Sequence, residues 1–117
     1  MNDIKIQNLS YDFSLDIIKL VRLIPKDTAG YILGRQLIRS GTSIGANIEE
    51  GQGAGSKKDF IFKMNIAKKE ARETKYWLRL IADSSIVDKN KMAHIIKECS
   101  SIINILTAIV KTSTANS

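Results

Sequence analysis

The chain has 117 residues, 44% of them apolar and 26% charged, and carries a formal net charge of +6. That is one domain with enough apolar material for a core and too little charge for disorder. Cys99 is the one cysteine and His94 the one histidine, which excludes an intrachain disulfide, a multi-cysteine zinc site and the two-histidine metal motifs.

Strand signals are absent: there is no sustained alternation and no Asn-Gly or Asp-Gly hairpin turn. Helical periodicity is present four times. The first helix is predicted at about 9–24, where Leu9, Phe13, Ile17, Leu20 and Ile24 recur at steps of three and four before Pro25 stops it. The second, at about 28–50, carries Leu33, Leu37, Gly41, Ile44 and Ile48, with Gly51 as its expected C-cap. The third, at about 57–83, opens behind Ser56 as N-cap, with Asp59 at the capping-box position. Its stripe is Phe60, Met64, Ala67, Ala71, Thr74, Leu78 and Ile81, alternating steps of four and three. That is the 3.5-residue repeat of a left-handed bundle seam. The fourth, at about 88–111, repeats the pattern with Met92, Ile95, Cys99, Ile102, Leu106 and Ile109. The polar residues after Lys111 are expected to fray.

Short connections make consecutive helices antiparallel neighbours. The expected fold is therefore all-α, an antiparallel up-down-up-down four-helix bundle over residues 1–117, with no second domain. No apolar run approaches the ~18 residues of a membrane span, and Met1 to Lys5 lead into no signal-peptide pattern. A cytoplasmic protein without membrane association is expected.

Charge is unevenly placed. Residues 57–79 hold eight bases against Asp59, Glu70 and Glu73, a local excess of +5, whereas residues 1–56 sum to zero. Such asymmetry points to an acidic partner, nucleic acid first among them. Lys68, Arg72, Lys75 and Arg79 recur at steps of four, three and four and so share a face. Like charges at this spacing destabilise an isolated helix slightly, so a purely solvated face would more often mix signs. Lys57 and Lys58 stand at the same helix's N-terminus, where a backbone phosphate could also be held. These six cations are the candidate nucleic-acid-binding residues. Tyr76 and Trp77 lie near the stripe and could stack on bases, although core packing is the simpler reading of Trp77.

Other features read as structural. The segment Gly51-Gln52-Gly53-Ala54-Gly55-Ser56-Lys57 lacks the Gly-Lys-Ser/Thr order and the preceding strand of a phosphate loop, and reads as a turn. Gly41 and Gly45 leave a smooth strip suited to a close helix contact, within the bundle or with a partner. Glu70 and Glu73 lie on a row whose ends are apolar, so they are expected to be at least partly buried and paired with Arg35, Arg39 or Asn47. No Glu-x-x-His pair exists for a di-metal bundle. No catalytic arrangement, metal site or cofactor is expected.

The stretch from Arg39 to Gly51 (RSGTSIGANIEEG), then Ser56 to Phe60 (SKKDF) and Ala67 to Leu80 (AKKEARETKYWLRL) resembles a family of bacterial four-helix-bundle proteins. They are related to the protein encoded in intervening sequences of 23S ribosomal RNA genes. The superfamily includes the accessory protein of diversity-generating retroelements, which binds nucleic acid and a reverse transcriptase. The resemblance spans roughly residues 9–110. It implies a small basic bundle that assembles into a homopentamer, with no enzymatic activity established for the intervening-sequence branch. Many members have Pro in place of Gly45 and alanines in place of Ser40 and Gly41, which groups this chain with a stand-alone branch. Wide apolar faces agree with assembly: Leu15, Ile18 and Val21 on the first helix and Ile96, Ile103 and Val110 on the fourth. The expected partners are copies of itself and RNA or DNA; an oligomeric adaptor whose ligand is another protein is the alternative.

Overall fold

A computed structural model describes residues 2–116, with side-chain surroundings from Lys5 onward. Helix α1 spans Asn2–Leu23, α2 Thr28–Gln52, α3 Lys57–Asp83 and α4 Lys89–Ala115. Among the described residues there is no strand. Each helix packs on its neighbours in the order α1, α2, α3, α4 and back to α1, while the diagonal pairs stay apart. The result is a rod of 46 × 21 × 19 Å. Packing is most extensive between α2 and α3 and least between α1 and α4.

The 3.5-residue stripes of α3 and α4 are the core. Met64, Ala67, Ala71, Thr74, Leu78 and Ile81 of α3 are buried, as are Met92, Ile95, Cys99, Ile102, Leu106 and Ile109 of α4. On α1 the stripe differs from expectation. It runs through Ile6, Ser10, Phe13, Ile17, Leu20 and Ile24, and Leu9 is only half-buried. Ser10 takes the core position because Gly45 of α2 comes against it: a Cβ on Gly45 would lie 3.4 Å from Ser10 Oγ. A Cβ on Gly41 would lie 2.9 Å from Ile17 Cγ1. The smooth strip of α2 therefore serves a close contact with α1 inside the bundle.

Helix ends shift for physical reasons. α1 begins near residue 2 rather than 9, because Ile6 extends its buried seam by a turn. Gly51 is not the C-cap of α2; it lies inside the helix beneath Met64, and the helix ends at Gly53. Asp27, Ser56 and Asp88 cap the starts of α2, α3 and α4, each side chain accepting from a backbone N–H. α3 closes with a bond from Ile86 N–H to Ile81 O of 3.2 Å. This places Ser85 at φ 61°, in the left-handed region. The polar end of the chain does not fray after Lys111: α4 continues to Ala115, and Asn116 O accepts from the Lys57 ammonium at 2.8 Å. α4 is long and apolar enough to cross a membrane by length and composition alone, contrary to the sequence expectation. Its central apolar stripe is the bundle core, and Ile96, Ile103, Ile105 and Val110 are partly buried beside it, while only 28% of its most apolar stretch is buried within the single chain.

Candidate nucleic-acid interface

A helix turns about 100° per residue, so the residue two before each core position points most nearly away from the core. On α3 that rule selects Lys58, Phe62, Asn65, Lys69, Arg72, Tyr76 and Arg79, and all seven are exposed. The row is about 32 Å long from Lys58 to Arg79. Two aromatic rings interrupt its four cations: Phe62 is 62% and Tyr76 53% exposed. Among the described residues, none of Lys58, Lys69, Arg72 and Arg79 enters an ion pair. The surface is a solvated line of positive charge with two apolar platforms in it.

The six cations singled out from the sequence divide into three groups. Lys58, Arg72 and Arg79 belong to the outward row. Lys68 and Lys75 are half-buried on the flank toward α4, where the Lys75 ammonium is close enough to act on the buried Cys99 thiol. Lys57 is exposed but engaged with Asn116 O. Lys69 and Phe62 were missed. The stripe at 68, 72, 75 and 79 straddles the outward direction, whereas counting back two from each core residue lands on 62 and 69 directly.

The opposite flank of α3 is acidic and neutralised. Arg39 of α2 donates Nη1 to Glu70 Oε1 at 3.3 Å, Nη2 to Glu73 Oε2, and Nε to Gln36 Oε1 at 3.2 Å. Trp77 Nε1–H donates to Glu73 Oε2 at 3.0 Å. Side-chain exposure is 15% for Glu70 and 32% for Glu73, so the pair is partly buried, as expected. Arg35 and Asn47 do not join it. Arg35 is exposed along the α1–α2 groove, and the Asn47 amide donates to Ser43 O of its own helix at 2.8 Å. The arrangement ties α2 to α3 and removes both carboxylates from the field of the basic row. It also fixes Trp77, which packs against the core and meets Tyr76 edge-on, with ring centroids 5.2 Å apart. Trp77 is thus structural, and its ring supports the exposed ring of Tyr76.

Deeper in the α2–α3 contact, Thr74 Oγ1 donates to Ser40 Oγ at 2.9 Å, both residues being buried. Cys99 is a core residue: its thiol donates to Ala71 O at 3.3 Å, and burial pushes its pKa up to about 12. Burial disfavours the thiolate, the form that attacks electrophiles and binds metals.

A family model described as 23S rRNA-intervening sequence protein matches residues 2–108. Among solved structures, the chain is similar to that of a protein with unknown function from the S23 ribosomal protein family of Bacteroides thetaiotaomicron. Identity is 37% and the TM-score 0.89, over 95% of this chain and 99% of that one. A search of curated proteins finds no match.

Proposed function

We propose that this chain, which belongs to the 23S rRNA-intervening sequence protein family, is a non-enzymatic nucleic-acid-associated bundle that holds RNA along the outward row of α3. The observation that carries this reading is the row itself: Lys58, Lys69, Arg72 and Arg79 exposed and without ion pairs, with Phe62 and Tyr76 between them. Phosphates supply most of the affinity in such binding, and its strength falls with salt because counterions are released. Exposed aromatic rings add stacking of about 1–3 kcal/mol per base with little sequence preference. Phosphate contacts and stacking are both largely indifferent to base identity, so sequence selectivity is expected to be slight.

Self-assembly belongs to the same proposal. A single chain leaves Tyr31 and Ile38 exposed beside a 360 Å³ groove between α1 and α2, floored by Val21, Ile24 and Gly34. This apolar surface lies away from α3, so a homo-oligomer built on it, a pentamer by the resemblance described above, would leave the basic rows free. The same apolar surface supports the second reading, an adaptor for another protein.

Fluorescence anisotropy with a labelled single-stranded RNA tests the first reading. Each phosphate contact contributes a slope of about −0.7 in log affinity against log salt. Four contacts per subunit predict a slope near −3, and the double variant Arg72→Gln/Arg79→Gln should flatten it by about 1.4. An unchanged slope in the double variant, with the fold intact by circular dichroism, would move the reading to the adaptor.

A further inference from the structure

The seam between α1 and α4 packs least in the bundle, and it contains a group of ionisable side chains that the basic row does not use. His94 and Glu98 are four apart on α4 and therefore lie on one face. Asp16 reaches the same point from α1. One ligand atom from each of the three lies within 4.8 Å of the others. They line a cavity of 270 Å³ with Leu20, Leu23 and Ile95 at its apolar wall.

The charges in this cavity are poorly matched. Glu98 Oε1 is buried and has no hydrogen-bond partner. His94 Nε2 stands 3.3 Å away without the geometry of a hydrogen bond. The Asp16 carboxyl sits against that of Glu98. Burial first, then a hydrogen bond with the Asp16 carboxyl and the Asp16 charge, with a smaller contribution from Asp12, holds the Glu98 carboxyl above its ordinary range, and His94 opposes them. Lys19 and Lys91 line the same cavity, but neither forms an ion pair with the two carboxylates. Two carboxylates and one imidazole therefore converge on a point that, among the described residues, no lysine or arginine side chain fills.

We propose that Asp16, His94 and Glu98 form a binding site for a divalent first-row transition-metal cation of the zinc type, which clamps α1 to α4. One imidazole nitrogen with two carboxylate oxygens suits zinc and its neighbours in the row, whereas calcium and magnesium take oxygen ligands alone. Zinc–ligand bonds of 2.0–2.1 Å place tetrahedral donors about 3.4 Å apart. Closing from separations of up to 4.8 Å requires the donor atoms to draw together by at most about 1.4 Å. A cation at the centre would supply the buried Glu98 oxygen with its missing partner and remove the repulsion between the carboxyls. Water would complete the coordination, since the cavity is open to solvent on the His94 side. Neither sequence motif nor composition signals this site: it is one i, i+4 pair completed by an acid 78 positions earlier, and only the antiparallel pairing of the first and last helices brings the three together.

The test is isothermal titration of the full-length, chelator-treated protein with zinc chloride, beside magnesium chloride, followed by thermal unfolding with and without zinc. Glu98→Gln and His94→Ala are the site variants. Both keep the fold, because one removes a repelled charge and the other an exposed ring. Cys99→Ser controls for thiol binding. The expected result is one zinc per chain, no magnesium binding, and a zinc-dependent rise in melting temperature. Either site variant should weaken zinc binding by about ten-fold or more and abolish the rise, while Cys99→Ser leaves both unchanged. Absence of zinc binding in the submillimolar range would overturn the proposal, as would equal affinity in wild type and both site variants.

Discussion

Three glycines on the α1–α2 contact respond differently to one added methyl group, and the geometry fixes the sign at each end of the series. In Gly34→Ala the new Cβ would lie 3.4 Å from Val21 Cγ1, an ordinary contact. Only the helix-propensity gain remains, so stability should rise by about 0.5–1 kcal/mol. In Gly30→Ala the Cβ would fall 1.7 Å from the carbonyl oxygen of Pro25 and 2.9 Å from its carbon. That obstacle is backbone in the turn between two helices, with a proline ring fixing φ, so no rotamer change relieves it. Overpacking of this kind costs about 1–3 kcal/mol, here at the upper end, against a propensity gain of less than about 1 kcal/mol near the helix start. The net expectation is a loss of about 2 kcal/mol. Gly41→Ala falls between, because its Cβ meets the side chain of buried Ile17 at 2.9–3.2 Å. Urea unfolding at fixed protein concentration measures all three, with an unchanged m-value guarding the comparison. By melting temperature the two extremes should separate by roughly 10 °C, taking about 4 °C per kcal/mol for a domain of this size. A Gly30→Ala protein as stable as wild type would refute the reading of the α1–α2 turn. So would a Gly34→Ala protein that loses more than about 1 kcal/mol.

Four further outcomes are expected. Arg39→Met should cost about 1–2 kcal/mol, below the 3–5 of a fully buried pair, because Arg39 is 47% exposed and its partners are only partly buried; urea unfolding checks it, and a loss above 3 kcal/mol would mean the network is drier than its geometry. Glu98→Gln, in the presence of a chelator, should be more stable than wild type at neutral pH. Its folded pKa is raised above the ordinary 4.5, so the wild-type protein is most favoured below 4.5 and loses that advantage as pH rises through the folded value; the difference should shrink as pH falls toward 4.5. Cys99 should react with a thiol reagent only on unfolding, at the rate of global opening, given its burial and its pKa near 12. Tyr76→Ala should weaken single-stranded RNA binding by about 1 kcal/mol or more while leaving the salt slope unchanged, since stacking carries no counterion release.

Much of this molecule is written in its periodicity. The seams of α3 and α4 follow directly from steps of three and four, because apolar residues at those positions have no other place to go. The α1 seam was misread at Leu9 because a leucine outranks a serine by hydrophobicity. Ser10 lies in the core by virtue of Gly45, a residue on another helix, and no local count along α1 contains that fact. Helix ends moved for similar reasons: Gly51 looks like a C-cap until Met64 is seen lying across it. At the interface, the pairing of Arg39 with Glu70 and Glu73 was foreseeable from charge and register. Whether Lys68 and Lys75 face solvent depended on which side α4 packs, and composition does not encode that side. The Asp16, His94 and Glu98 group lay beyond any linear reading.

The central claim is that RNA lies along the outward row of α3. Ultraviolet cross-linking of the protein to a uridine-rich single strand, with the cross-linked peptides identified by mass spectrometry, tests it most directly. The account predicts adducts concentrated in residues 58–79, at the exposed rings of Phe62 and Tyr76, and lost when salt is raised. Adducts confined to the α1–α2 face, at Tyr11 or Tyr31, or no adduct at low salt, would contradict it.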